Sequence, residues 1–326
     1  MFGELPKLFD RNFAVGFLLP AALLCVLVFL LLGSYGLAYI PWSVEGINRL
    51  SGAVSALLVI WFVALLLLAV NGLVYRFMEG YPLLAAIRGL GRLSPRTETR
   101  IRQAITRRFE RDAAPAHRLQ ATIDDARAHG RPEPAIPADH AYRLLRAVER
   151  FPTRVEEVLP TRFGNRFRAI EVYPRVLYGL DAVPAWPRLH ALLPEHVRQM
   201  IADSKAQLDF CANVMVAGLV ATLACLGLIL WHQRLPEWWL ILAGPAGAAA
   251  GYLLALGAAI PFGNYIKTSF DLHRGDLARA LGLEMPRAND QERVMWVIVS
   301  RMMIYRSAAR ASELTRFRPH RPREMP

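Results

Sequence analysis

The chain has 326 residues, 54% of them hydrophobic, and a formal net charge of +12. A soluble globular domain does not combine so apolar a composition with so basic a balance; the pairing fits a membrane protein whose basic segments face one side. The three cysteines, Cys25, Cys211 and Cys225, all lie inside apolar runs with no His or Cys at metal-ligand spacing, so neither a zinc site nor a disulfide framework organises the fold.

No charged residue falls between Arg11 and Glu45, Arg49 and Arg76, Asp209 and Arg234, or Glu237 and Lys267. A hydrocarbon core about 30 Å thick takes roughly 20 apolar residues in a helix, and helices satisfy every backbone polar group in lipid. The predicted fold is all-α: a polytopic membrane protein with four transmembrane helices in two hairpins and a helical cytoplasmic domain between them. The first run is too long for a signal-peptide core and a second span follows at once, so cleavage is not expected. Each tight loop, around Pro41–Leu50 and His232–Trp239, carries one arginine, Arg49 and Arg234. The other Lys and Arg lie in the N-terminus, the long middle segment and the tail, which the positive-inside rule places in the cytoplasm with both termini. Trp42, Trp231, Trp238 and Trp239 fall near span ends, where amphipathic rings favour the interface.

In chain order, residues 1–12 form a cytoplasmic N-terminus with a small apolar face (Phe2, Leu5, Leu8, Phe9). Residues 13–77 are the first hairpin. Gly16 and Pro20 lie in its first span, and Asn71 lies near the cytoplasmic end of its second, Ser51–Tyr75. Asn71 has two readings, a bond to another helix or contact with interfacial water, and the second is favoured. Residues 78–207 form the cytoplasmic domain. A helix is expected to run on through Phe77–Arg92 until Ser94-Pro95 breaks it. Residues 96–111 and 115–129 read as solvated helices, each with one apolar stripe. Their basic face suits a solvated surface or anionic lipid headgroups; no nucleic-acid partner is expected. Residues 130–137 (GRPEPAIP) are a linker, and Ala138–Arg150 is another helix.

The most distinctive text is Leu159–Leu193. A helix is predicted over Arg162–Tyr173, ended or kinked by Pro174; Tyr178-Gly179 and Pro184 make a compact, turn-rich segment; a short helix or turn follows Trp186. Two carboxylates, Glu171 and Asp181, stand among Arg162, Arg166, Arg168, Arg175 and Arg188. One reading is a ligand or partner site built from Arg162, Asn165, Arg166, Arg168, Glu171, Tyr173, Tyr178, Asp181, Trp186 and Arg188. The other, favoured one is an ion-paired stabiliser of the fold. No Cys or Ser nucleophile is present there and only one histidine, His190, so catalysis is the least supported use.

Thr161–Asn165 (TRFGN), Arg168–Glu171 (RAIE), Tyr178–Val183 (YGLDAV) and Trp186–Leu189 (WPRL) together resemble an element of a set of uncharacterised bacterial membrane proteins. The resemblance covers about 30 residues and implies a bacterial inner-membrane location; it carries no function.

From Pro194 a helix is expected to continue into the third span. Residues 208–266 are the second hairpin. In its second span Gly244, Gly247, Ala248, Gly251 and Ala255 recur at helical spacing, a small-residue face for close packing within or between subunits. Pro261 and Gly263 mark a kink or hinge. Residues 267–314 are cytoplasmic helices: Lys267–Gly282, then Glu292–Leu314 with Val294, Val297, Ile298, Met302 and Tyr305 on one face. Residues 315–326 are a basic, disordered tail.

There is no Walker A sequence, no nucleotide-binding glycine motif, no HExxH and no GxSxG. The spans hold ionisable residues only at their ends, which argues against a proton-coupled transporter. Two functions remain. The first is a non-enzymatic scaffold or signal-binding protein with an unknown cytoplasmic partner and no cofactor. The second is a homo-oligomeric channel or pore-forming effector gated from the cytoplasmic side, a layout that resembles bestrophin-like channels and some four-helix antiviral effectors without their motifs.

Overall fold

The computed structural model describes residues 10–36, 47–93, 114–132, 150–306 and 312–319, with residues 99, 100, 103, 104, 107 and 111. Among the described residues every regular element is helical. We label them α1 (Arg11–Ser34, with a π-helical turn at Ala14–Leu18), α2 (Ile47–Glu79), α3 (Tyr81–Leu93), α4 (Ala114–Ala128), α5 (Arg162–Tyr178), α6 (Ala182–Leu192), α7 (Glu195–His232), α8 (Trp238–Ala280) and α9 (Asn289–Tyr305). The expectations for residues 1–9, the loop at 37–46, most of 96–111, the linker from 133, the helix at Ala138–Arg150 and the last seven residues lie outside the described residues.

Four helices, α1, the Gly52–Glu79 part of α2, α7 and α8, are long and apolar enough to cross a membrane. They carry large exposed apolar side chains such as Leu57, Phe62, Leu223 and Leu253, a surface that suits hydrocarbon and not water. The chain divides into two compact units: Met1–Met78 with Ala202–Phe262, and Glu79–Ile201 with Gly263–Pro326.

In the first unit, Phe13, Phe17 and Ala21 of α1 cluster with Ala64 and Leu67 of α2. Leu31 of α1 clusters with Cys225 of α7 and Leu240 of α8. The small-residue face of α8 lies against α7. A Cβ on Gly251 would stand 2.4 Å from Met215 N and one on Gly244 2.9 Å from Thr222 N. On the facing helix, a Cβ on Gly218 would stand 2.3 Å from Ala248 N and 2.8 Å from the Gly247 carbonyl carbon. Only glycine permits such approach. Ala248 and Ala255 are buried beside it. The cysteines Cys25, Cys211 and Cys225 are free.

In the second unit, α5 and α6 pack on each other and on α9. Trp296, Phe163, Phe270, Leu180 and Leu189 are among its fully buried side chains.

Several boundaries differ from expectation, each for a local reason. The helix through Tyr75 does not continue to Arg92: Gly80 takes φ +88 between α2 and α3, where a Cβ would stand 2.8 Å from Thr161 Cγ2. Pro174 does not end α5, which runs on to Tyr178 with the proline inside it. The stop is Gly179 at φ +79, with Gly179 N bonded to Arg175 O and Leu180 N to Pro174 O, the left-handed cap that glycine adopts without a Cβ penalty. The segment after it is already helical from Ala182. Helix α8 carries Pro261 inside it, and Ile170 Cδ1 would lie 2.5 Å from a Cβ added on Gly263. Helix α9 ends at Tyr305, not Leu314, and buries Glu292, Met295, Trp296 and Val299 while Val294 and Tyr305 are exposed. The start of the tail is folded: Leu314–Phe317 is a 3-10 turn, Leu314 is buried, and Phe317 O accepts from Glu284 N at 2.7 Å.

Candidate functional site

Helix α5 begins where Thr161 caps it, the hydroxyl accepting from Gly164 N at 2.9 Å. Just before it, the buried Asn165 amide mimics a backbone partner: Leu159 N donates to Asn165 Oδ1 at 2.7 Å and Asn165 Nδ2 donates to Leu159 O at 2.9 Å. Such pairing removes the cost of burying an amide. Asp181 plays a similar local part. Its carboxylate accepts from Val183 N at the start of α6, and its own N–H donates to Ser300 Oγ of α9 at 2.8 Å. Trp186 packs its ring 5.9 Å from Phe270 and 5.5 Å from His190. Arg188 bonds the Pro184 carbonyl one turn back on an exposed face, Arg162 is exposed at the helix start and Arg166 is half-buried.

Arg168 donates to Glu171 at 2.9 Å and to the Tyr81 hydroxyl at 3.1 Å. Burial pushes the Glu171 carboxyl above its ordinary range, against the pull of Arg168 and with the help of Asp181. The pair is half-buried, with side-chain exposures of 29% and 37%, so it contributes little beyond positioning.

The tyrosines form the organised part of the site. Tyr173 and Tyr178 both donate to Asp271 of α8, at 2.9 Å to Oδ2 and 2.7 Å to Oδ1. Arg274, one turn along α8, bonds the Asp271 carbonyl, lies 4.1 Å over the Tyr178 ring and donates from Nε to Glu292 Oε1 at 2.7 Å. The same Glu292 oxygen accepts from Trp296 Nε1 at 3.2 Å, and Lys267 Nζ stands 5.5 Å from the Tyr173 ring. Burial and the hydrogen bond to Asp271 raise both phenols, Tyr178 to about 12 and Tyr173 further. At neutral pH both phenols are therefore protonated and donate to the Asp271 side chain. The network joins α5, α8 and α9 through charge-assisted bonds and leaves no activated nucleophile beside a base.

Asp271, Arg274, Glu292 and Trp296 were not among the residues expected at this site. Glu292 carries the one legible signal: with Trp296 and Val299 it falls at i, i+4, i+7 on an apolar face, where a carboxylate needs a partner.

A second polar cluster lies in the membrane unit. Asp209, 5% exposed, accepts from Tyr75 Oη at 2.8 Å, Asn71 Nδ2 at 3.1 Å and Lys205 Nζ at 2.7 Å. Asn71 thus bonds across to α7 and does not serve interfacial water, because the buried carboxylate needs its donors. Asn213, fully buried, donates to Gly16 O at 2.8 Å within the π-helical turn. An added Cβ on Gly16 would lie 3.3 Å from Asp209 Cβ. A π turn displaces carbonyls from the ordinary ladder, and a side-chain amide can take one up.

No protein-family model, curated protein or solved structure matches the chain.

Proposed function

We propose that this chain is a non-enzymatic integral protein of the bacterial inner membrane that presents a cytoplasmic helical domain as a binding platform, with two membrane hairpins as its anchor and both termini in the cytoplasm. The observation that carries this reading is the shared Asp271 carboxylate. Tyr173 and Tyr178 of the most distinctive segment are both engaged by it. Asn165 and Asp181 likewise engage backbone groups. Polar residues used this way rigidify a surface; they do not assemble a reacting centre. A rigid helical surface is what a partner needs in order to bind without a large ordering cost.

The small-residue face of α8, which would suit a seam between the subunits of a pore, is taken up by α7 of the same chain. That supports the anchor over the channel. The test is ion flux through proteoliposomes containing the full chain, alongside oligomeric state in nanodiscs. The anchor reading expects flux no greater than the protein-free leak. A closed ring of subunits with selective conduction would replace it with the channel.

A further inference from the structure

We propose that Arg154, Arg175 and Arg293, with Thr153 and Glu157, form a binding site for a phosphate monoester. These residues and Val176 line a cavity of about 280 Å³ in the second unit, just below the usual range for ligand pockets and suited to a small group. Among the described lining residues, three guanidiniums against one carboxylate leave two positive charges uncompensated, the complement of a phosphomonoester dianion.

The three arginines are committed to different degrees. Arg175 is ion-paired with Glu157. Arg293 donates one nitrogen to Val176 O at 2.7 Å, at the C-terminal end of α5. The Arg293 backbone lies against Gly179: its carbonyl oxygen would stand 2.8 Å from a Cβ added there. Arg154 makes no side-chain hydrogen bond or ion pair among the described residues. One whole guanidinium and part of another therefore face the cavity without a partner, and guanidinium forks match phosphate oxygens in pairs.

Glu157 supplies the second observation. Its Oε1 is held by Arg175, while its Oε2 is buried and unpartnered. A buried carboxylate oxygen without a donor is costly. A hydroxyl or amine beside the ester phosphate would satisfy it. The class is thus a phosphomonoester with a neighbouring donor group, and its source is a lipid headgroup or a soluble metabolite.

The site deepens the binding-platform reading and rests on it, and the two fail separately. Conduction through the chain overturns the platform whatever the pocket binds; a pocket that ignores phosphate overturns this site and leaves the platform standing. The experiment uses the full chain in nanodiscs of zwitterionic lipid, titrated with inorganic phosphate by calorimetry. Saturable binding is expected, weakened about tenfold or more in Arg154→Gln, the loss of one charge-assisted contact. Arg154 has no side-chain partner among the described residues, so that variant is expected to keep the wild-type melting temperature and decides the question even if Arg293→Gln, which loses a helix contact, misfolds. Glu157→Gln removes the one negative charge among the described lining residues and is expected to tighten phosphate. Nanodiscs containing phosphatidate separate the sources: a weaker phosphate titration there assigns the pocket to the lipid, and an unchanged one assigns it to a soluble phosphomonoester. Absence of saturable phosphate binding to the wild type, or equal binding by Arg154→Gln, overturns the proposal.

Discussion

Gly251 lets the backbone of α8 come against Met215 of α7, whereas Tyr173 and Tyr178 reach from α5 to a single carboxylate, Asp271. The first contact lies in the membrane unit and the second in the other. The contrast is the one that two solvents, lipid for the first unit and water for the second, would produce. Lipid tails are as apolar as leucine, so burying leucine between helices in hydrocarbon gains little, and close backbone approach with van der Waals contact takes its place. In water, apolar burial is available to drive packing, and what must be specified is which surfaces meet. Directional bonds to a shared carboxylate do that. Asp209 qualifies the contrast: the membrane unit also holds a carboxylate, and three donors from two helices satisfy it.

The sharpest way to break the comparison is Gly251→Leu. The new side chain would start 2.4 Å from Met215 N, and a backbone atom cannot swing aside as a flexible side chain can. A loss of stability on the order of 3 kcal/mol is expected, the upper end for overpacking, measured by unfolding in detergent micelles. Gly257→Leu is the matched control: it lies on the same helix, exposed, with nothing within 4 Å of an added Cβ. It is expected to change stability by less than about 0.5 kcal/mol. Equal losses in the two variants would mean that the seam does not set the cost, since the propensity change from Gly to Leu favours the helix at both positions.

Asp271→Asn probes the other unit. It keeps the shape but removes the charge and turns one acceptor into a donor facing a phenol. The expected loss is about 2 kcal/mol, the scale of a hydrogen bond to a charged group. A double-mutant cycle with Tyr173→Phe and Tyr178→Phe should show coupling of about 1 kcal/mol for each tyrosine. Additive effects would mean that the tyrosines pack without depending on the carboxylate.

The two contacts were unequally legible in the sequence. Gly244, Gly247 and Gly251 announce the seam because the helical period alone puts them on one face, and a run of small residues has few other uses in lipid. What the period leaves open is the partner helix; Gly218 of α7 supplies it, a single glycine in a run that reads as ordinary apolar helix. The tyrosine network was hidden for a different reason. Tyr173 and Tyr178 are conspicuous, but their acceptor Asp271 is nearly a hundred residues away, and no local pattern pairs them. Glu171, the carboxylate nearer in sequence, drew attention and turned out to be tied to Arg168 three residues back. Helix ends followed the same division. The sequence places the end of α5 at Pro174, whereas the stop is Gly179; the positive φ at Gly80 carries no strong local signal. Local chemistry was readable, and long-range pairing was not.

The effect most specific to the second unit is a loss of stability at alkaline pH. A free tyrosine titrates near 10, whereas Tyr178 is raised to about 12, by burial first and then by the bond to Asp271. The neutral hydroxyl donates to that carboxylate; the phenolate would repel it. The folded state therefore holds the proton more tightly than the unfolded one, and its advantage is fully present below about pH 10 and is lost as the pH rises through about 12. Tyr173, raised further still, gives way only above that window. Tyr178→Phe should flatten the dependence: less stable than wild type at neutral pH, and less sensitive to alkali. Gly244, Gly251 and Gly218 carry no titrating side chain, so the α7–α8 seam should hold through the same range. Phenolate absorbance at rising pH reports the titration directly. If the Asp271→Asn chain and the wild type ionise together near 10, the carboxylate does not hold the tyrosines, and the polar half of the comparison falls while the glycine half stands.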